Sequence, residues 1–315
     1  MKILVPHTVE LDLSNSGEEV LVYQVDQPIP DEHVDAEVLV VWRNTAENLA
    51  DAASRMQQLK LVQTLAAGPD SVLAAGFAGD VAITSGRSLH DGPVAEHALA
   101  LVLAAVRRLD VLLEAQKTST WDSAYNSAQS APATEGLYTL DAANVTIWGF
   151  GSIAARLAPL LTALGAKVTG VANSAGERYG FPVVSADELP SVLAGTDVLI
   201  SILPATDETT NALSDELLRA LPATAIFVNV GRGATVDEDA LFSALEEGRL
   251  RVAALDVTKE EPLPSDSRLW NAPNLIITPH VAGNRPKGSA ALVLANLAAL
   301  NEGRPLTNLV ARRPN

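Results

Sequence analysis

The chain has 315 residues, 48% of them hydrophobic, enough apolar side chain to fill one large core or, at this length, two. Its 38 acidic against 22 basic residues give a formal charge of −16, a field that repels nucleic acid and anionic lipid and leaves an anionic substrate to be held by local positive charge. No cysteine is present, which excludes disulfides, thiolate metal sites and a cysteine nucleophile and fits a reducing compartment.

The amino-terminal segment MKILVPHTVE is interrupted at Pro6, far short of the ~7–15 residue apolar region of a secretory signal. The longest apolar run, Ala98 to Val106, is well below the ~18 residues of a membrane span and reads as a buried helix. A cytoplasmic protein that engages neither membrane nor nucleic acid is expected.

Short β-branched runs at Ile3–Val5, Val20–Val22, Val38–Val41, Leu61–Val62 and Val81–Ile83 alternate with helical stretches. An apolar helix follows from about Pro93 to Gln116, then a polar stretch from Lys117 to Asp141, which reads as a boundary between two series of strands. The cadence restarts at Val145–Trp148 and continues through Val168–Val171, Val198–Ile202, Ile226–Val230, Val252–Leu255 and Leu275–Thr278. A helix from about Lys287 to Asn301 and a proline-containing tail complete the chain, with no repeat at solenoid period. Near-continuous apolar strands of this kind predict an α/β fold of parallel sheets covered by helices on both faces. Trp42, Trp121, Trp148 and Trp270 read as packing anchors. Of the histidines, His7 and His33 have no suggestive setting, His97 is expected to pack in the apolar helix, and His90 and Arg43 could face a cleft.

Gly149-Phe150-Gly151-Ser152-Ile153-Ala154 directly follows the strand Val145–Trp148 and opens a helical run from Ala155 to Leu164. Strand, glycine turn and helix in this order form the context of a dinucleotide-binding fingerprint. Gly149 permits the tight turn, Gly151 admits a pyrophosphate to the backbone, Ala154 allows close packing, and the phosphates sit at the helix amino terminus. In an NAD enzyme the next strand should end in an acid that binds the adenosine ribose. Here that place holds Ala172, followed by Asn173, Ser174 and, shortly after, Arg178. Neutral donors with one cation suit a 2′-phosphate, so NADP(H) is favoured over NAD(H).

Val230-Gly231-Arg232-Gly233 sets an arginine between glycines just past the end of an apolar strand, where ligands bind in open α/β sheets and where a guanidinium can grip a carboxylate with two prongs. Two further segments, Ala254 to Pro264 and Ile277 to Gly283, each follow an apolar strand and carry Asp256, Glu261 and His280. With these in place the sequence resembles the D-isomer-specific 2-hydroxyacid dehydrogenase family nearly end to end, including Gly68-Pro69-Asp70, the helix start Pro93 to Ala98, and Leu203-Pro204-Ala205-Thr206.

The resemblance implies two Rossmann-like domains, with a dinucleotide-binding domain at 93–284 inserted into a flavodoxin-like substrate domain made of 1–92 and 285–315, and closure of the two about their linkers. It implies Arg232, Glu261 and His280 as the catalytic set, with Ala67 and Gly68 joining Arg232 and His280 at the substrate. The implied NAD(P)-binding set is Gly149, Phe150, Gly151, Ser152, Ile153, Ala172, Asn173, Ser174, Arg178, Leu203, Pro204, Thr209, Val230, Gly231, Asp256, His280 and Gly283. Asp256 matches the residue that holds the nicotinamide carboxamide, and Pro204 and Thr206 match the wall beside the adenine. The implied reaction passes a hydride between the cofactor and C2 of a small 2-keto or D-2-hydroxy acid, as in glyoxylate or hydroxypyruvate reductases. Arginine would polarise the substrate, and histidine, paired with Glu261, would supply the proton. No metal is expected, and a homodimer is.

Three positions depart from the family pattern: Pro69 where an aliphatic residue is common, Asp207 where proline is frequent, and Ala172 at the ribose acid. They bear on substrate and cofactor choice, leaving the catalytic set intact. A phosphoglycerate dehydrogenase-like enzyme and a non-catalytic dinucleotide-sensing protein are the alternatives; retention of Arg232, Glu261 and His280 speaks against the second, and Glu261 in place of an amide speaks against formate as substrate.

Overall fold

A computed structural model describes residues 1–311; the last four residues of the tail, assigned above to the substrate domain, lie outside it. In chain order the elements are β1 (Lys2–Pro6), β2 (Glu19–Tyr23), β3 (Val38–Val41), α1 (Ala46–Arg55), β4 (Leu61–Thr64), α2 (Asp70–Ala74), β5 (Ala82–Thr84), α3 (Asp91–Val106), α4 (Leu109–Lys117), α5 (Ser123–Ser130), β6 (Asn144–Trp148), α6 (Ser152–Ala163), β7 (Lys167–Ala172), β8 (Gly176–Arg178), β9 (Phe181–Ser185), α7 (Leu189–Leu193), β10 (Val198–Ser201), α8 (Asp215–Ala220), β11 (Ile226–Asn229), α9 (Glu238–Glu246), β12 (Val252–Leu255), β13 (Leu275–Ile277), α10 (Ser289–Asn301) and β14 (Leu309–Ala311). They divide into two compact units: Met1–His90 with the chain from Gly283 onward, and Asp91–Ala282. The joins lie two residues ahead of the positions expected from sequence, the first of them at the start of α3 at Asp91.

The first unit is a six-stranded sheet in the order β14-β5-β4-β3-β1-β2, parallel except for the β14–β5 pair. Successive residues of its strands feed opposite faces: Ile3, Val38, Val40 and Leu61 pack with Val293 and Leu297 of α10, while Leu4, Leu39 and Val62 pack with Leu49 and Ala52 of α1. Both faces are buried, which is why these strands read as unbroken apolar runs instead of alternating ones. A buried amide links the unit's two chain segments, Asn296 Nδ2 donating to Gln63 Oε1 at 2.7 Å across 233 residues.

The second unit is an eight-stranded sheet in the order β13-β12-β11-β10-β6-β7-β9-β8, parallel except for β8. Strand order reverses at β6, which has β7 on one side and β10 on the other, so the crevice beyond the carboxyl ends of β6 and β10 is the topological switch point. α3 and α6 cover one face through Ala98, Val102, Ala154, Leu157 and Leu161.

Four local features differ from the expectation. The single helix from Pro93 to Gln116 is two helices, because Arg108 takes a left-handed conformation (φ +51°) in which its guanidinium donates to Asp110 and to Asn274 Oδ1. The polar stretch Lys117–Asp141 is no boundary; it lies within the second unit and contains α5, capped by the Asp122 carboxylate accepting from the Tyr125 amide. β8 and β14, of three residues each, are too short to register as strands in sequence. Trp148 is buried as expected, but Trp121 is 91% exposed and Trp270 half exposed, so neither anchors a core.

Candidate active site

Every parallel strand of the second unit from β6 through β13 delivers its following residues to one edge of the sheet. Gly149, after β6, has φ +99°, and a Cβ there would come within 2.6 Å of the Ile202 carbonyl oxygen, so glycine is required by both conformation and space. Gly151, two residues on, is the reverse case: a Cβ would meet nothing within 4 Å. The space over Gly151 opens at the amino terminus of the 12-residue α6, whose Ser152 and Ile153 amides belong to the helix's first turn and have no helical acceptor. An open cradle of backbone donors at the positive end of a helix fits a pyrophosphate. The Phe150 side chain does not belong to this cradle: it is 2% exposed, and it packs on Gly170, where a Cβ would lie 2.4 Å from the ring. Gly170 was not singled out in the sequence, although a glycine inside a strand signals such a close approach.

β7 ends at Ala172 with no carboxylate at its tip. The chain then turns through Asn173 and Ser174 into the β8–β9 hairpin, which brings Arg178 back so that its guanidinium donates to Ser174 Oγ at 2.8 Å and to the Ser174 carbonyl. Of the three polar residues expected at this place, Ser174 and Arg178 are therefore joined, with Asn173 adjacent in the chain. Beyond β10, Leu203 is buried, and the Thr209 hydroxyl donates to the Pro204 carbonyl at 2.7 Å while accepting from the Thr206 amide, which rigidifies Pro204 to Thr209. Asp207 opens the short turn that contains Thr209.

After β11, Val230 is buried and Gly231 lies against the Leu203 backbone, 2.5 Å from its carbonyl oxygen to where a Cβ would stand. The Arg232 carbonyl accepts from Asn229 Nδ2 and from the Thr235 hydroxyl, both residues fully buried, and the guanidinium donates to the Gly231 carbonyl at 2.9 Å. Asn229 and Thr235 escaped the sequence reading; a buried amide at the tip of an apolar strand was the available signal. Gly233 closes the turn, because a Cβ there would fall 2.0 Å from the carbonyl carbon of Thr258.

The segment after β12 thus rests on the arginine turn. It is tied further by the Thr258 amide donating to Glu261 Oε1 at 3.1 Å and the Lys259 amide donating to Glu238 Oε1 at 2.6 Å; burial pushes the Glu238 carboxyl up from its usual range. Glu261 Oε2 then meets His280 Nδ1 at 2.6 Å. His280 follows β13 in a left-handed conformation, φ +50°, rare for a non-glycine residue and a frequent mark of functional positions. Asp256 is 1% exposed, and its carboxylate accepts from the Val281 and Ala282 amides and the Thr278 hydroxyl, while its carbonyl accepts from the His280 amide. Asp256, which the family resemblance sets at the nicotinamide carboxamide, also binds the turn that carries His280.

The remaining sites lie in the first unit. Ala67 and Gly68 follow β4, and their amides donate to no acceptor among the described residues. His90 is buried, stacked on Trp42 (5.4 Å between centroids), its Nε2 2.8 Å from the Leu65 carbonyl, and Gly283 lies against its ring. Arg43 extends over Trp42, so the two polar residues suspected of facing a cleft are both organised by that indole. Among the described residues no group of three metal-ligating side chains converges.

A parallel sheet with a glycine cradle at its switch point and a His–Glu pair on the same edge defines a dinucleotide-dependent oxidoreductase. Residues 99–282 match the model of the D-isomer specific 2-hydroxyacid dehydrogenase NAD binding domain. The chain is 33% identical over 289 residues to glyoxylate/hydroxypyruvate reductase A of Salmonella choleraesuis (strain SC-B67), covering 88% of this chain and 86% of that one. Among solved structures it is similar to a D-isomer specific 2-hydroxyacid dehydrogenase family protein of Aeromonas salmonicida subsp. salmonicida A449 (TM-score 0.82, 30% identity, 98% of both chains). It is also similar to the NADPH-dependent glyoxylate/hydroxypyruvate reductase of Sinorhizobium meliloti, solved with NADP and sulfate (TM-score 0.79, 27% identity, 98% of this chain and 97% of that one). The chain belongs to the D-isomer specific 2-hydroxyacid dehydrogenase family.

Proposed function

We propose that this protein is an NAD(P)H-dependent reductase of small 2-keto acids, with glyoxylate and hydroxypyruvate as the substrates to expect from the relatives' names. The observation that carries the reading is the 2.6 Å bond between His280 Nδ1 and Glu261 Oε2 beside the arginine turn. Glu261 orients the imidazole through Nδ1, and Nε2 is the atom that delivers a proton to the C2 oxygen. Arg232 holds and polarises the keto acid. The reduced nicotinamide, when bound, supplies the hydride. The product is the 2-hydroxy acid, and His280 is left to be reprotonated. A protein that only sensed dinucleotide would have no use for the His280–Glu261 pair.

NADP(H) is the preferred cofactor on this reading, since Ala172 offers no acid to a ribose 2′-hydroxyl and Arg178 with Ser174 offers a cation and a hydroxyl to a 2′-phosphate. The family resemblance supports a homodimer, and the exposed Trp121, Leu113 and Leu109 are apolar surface suited to a second copy. A cytoplasmic location is supported by the absence of cysteine; among the described residues no helix is long and apolar enough to cross a membrane.

The test is the initial rate of NADPH and, separately, NADH oxidation with glyoxylate, hydroxypyruvate, pyruvate and a bulkier 2-keto acid. Turnover that is faster with NADPH supports both parts of the reading. Turnover that is faster with NADH overturns the cofactor preference alone, and no turnover with any of the four overturns the reductase.

A further inference from the structure

We propose that His97, in the middle of α3, is a positioning residue for His280, acting through Asp256 and Thr278. This rests on the reductase reading, which gives His280 its role. His97 Nε2 lies 3.0 Å from the Thr278 hydroxyl and 3.1 Å from Asp256 Oδ1. The Thr278 hydroxyl has one hydrogen, and its 2.6 Å bond to Asp256 Oδ1 uses it. An ionised carboxylate only accepts. Both neighbours of Nε2 are therefore acceptors toward it, and the nitrogen must carry a hydrogen.

That hydrogen completes a closed set of donors around one buried carboxylate: His97, Thr278, and the amides of Val281 and Ala282. The last two belong to the turn that holds His280 at φ +50°, and the same aspartate's carbonyl accepts from the His280 amide at 2.7 Å. Within this set His97 is the only member from outside residues 256–282, so it is the group that fixes Asp256 to the helical layer of the unit. Losing it leaves a buried carboxylate short of one donor, and Asp256 regains freedom to shift or admit water, loosening the turn that presents the imidazole to Glu261.

Two variants separate this role from general packing. His97→Leu keeps the volume and removes the donor; His97→Gln keeps an N–H near the position of Nε2. With His97→Leu, amide exchange in the peptide spanning residues 278–283 should quicken about tenfold and kcat should fall about tenfold, while the Kd for NADPH stays within twofold. His97→Gln should restore both. Should His97→Leu not fold, Thr278→Val removes the hydroxyl between the two groups and is read in the same way. Exchange at 278–283 that matches the wild type overturns the proposal whatever the rates show. Faster exchange with an unchanged kcat overturns the positioning role, as does equal loss in the Leu and Gln variants. A wild type without turnover on any keto acid overturns the reductase reading instead, and leaves the exchange measurement to decide whether His97 holds the turn.

Discussion

Gly233 and Thr258 are in backbone contact: a Cβ on Gly233 would stand 2.0 Å from the carbonyl carbon of Thr258, whose own amide donates to Glu261. The glycine after Arg232 is therefore a spacer that sets how closely the arginine turn and the glutamate segment approach. Gly233→Ala should push residues 258–261 outward and part Glu261 from His280. We expect kcat to fall at least about tenfold, the scale of one lost charge-assisted hydrogen bond, with NADPH affinity nearly intact. Steady-state kinetics beside a fluorescence titration with NADPH check this; an unchanged kcat removes the spacer role.

His280→Ala should lower kcat by ~10²–10⁴, the usual worth of a placed acid–base group, without weakening the cofactor complex. Glu261→Gln should give a smaller loss, because an amide oxygen can still face Nδ1 and orient the ring. A His280→Ala enzyme within threefold of the wild-type rate would refute the assignment.

Two glycines of the nucleotide turn should part company. Gly149→Ala sets a side chain at φ +99° against the Ile202 carbonyl and should lower the melting temperature as well as cofactor affinity. Gly151→Ala meets no protein atom within 4 Å, so the melting temperature should hold while NADPH binding weakens tenfold or more. Differential scanning fluorimetry with and without NADPH reads both effects. Tight NADPH binding by the Gly151→Ala protein would show that the pyrophosphate lies elsewhere.

Arg178→Ala should cut the ratio of kcat/KM for NADPH over NADH by about 10–100-fold, since a hydrogen bond to a charged group contributes about 1.5–3 kcal/mol. Ala172→Asp should move the ratio the same way by repelling the 2′-phosphate. A ratio that ignores both changes would place the phosphate away from the β7 tip.

Glu238 gives a pH prediction whose sign follows from burial. Its folded-state pKa is raised above the ordinary glutamate range, chiefly by desolvation, so the native protein holds that proton more tightly than the unfolded chain. The resulting stability is fully present below the unfolded pKa and is lost as pH rises through the folded one. Glu238→Gln keeps an oxygen for the Lys259 amide and removes the buried charge. Its melting temperature should exceed the wild type's at pH 8, and the difference should shrink toward pH 4. A variant that melts lower at pH 8 would mean the negative charge itself holds Lys259.

Much of the second unit was legible because its glycine, arginine and histidine segments lie where strands end, and strand ends show in sequence as a change from apolar runs to Gly, Arg, Asp or His. Gly149, Arg232 and His280 all follow that rule. What stayed hidden are partners made by folding. His97 meets Thr278 across 181 residues, and Asn229 and Thr235 grip a carbonyl, a contact that no residue type announces. The split of the long helix was obscured for a different reason: Arg108 is a good helix former by propensity, and its left-handed turn goes with bonds to Asp110 and to Asn274, the latter 166 residues away. Trp121 marks the converse limit, since a large apolar side chain predicts burial and yet this one is 91% exposed.

The Gln63–Asn296 bond has a consequence for synthesis. The strands bearing Ile3, Val38 and Leu61 leave the ribosome early, whereas α10, which supplies Val293 and Leu297 to the same face, ends at Asn301. At about 5–20 residues per second, the interval between completion of β5 and of α10 is on the order of ten to forty seconds. For that time an apolar sheet face waits, while the whole of the second unit is made and free to fold. The nascent chain is thus most exposed to aggregation, and most in need of a chaperone, in the part that was synthesised first.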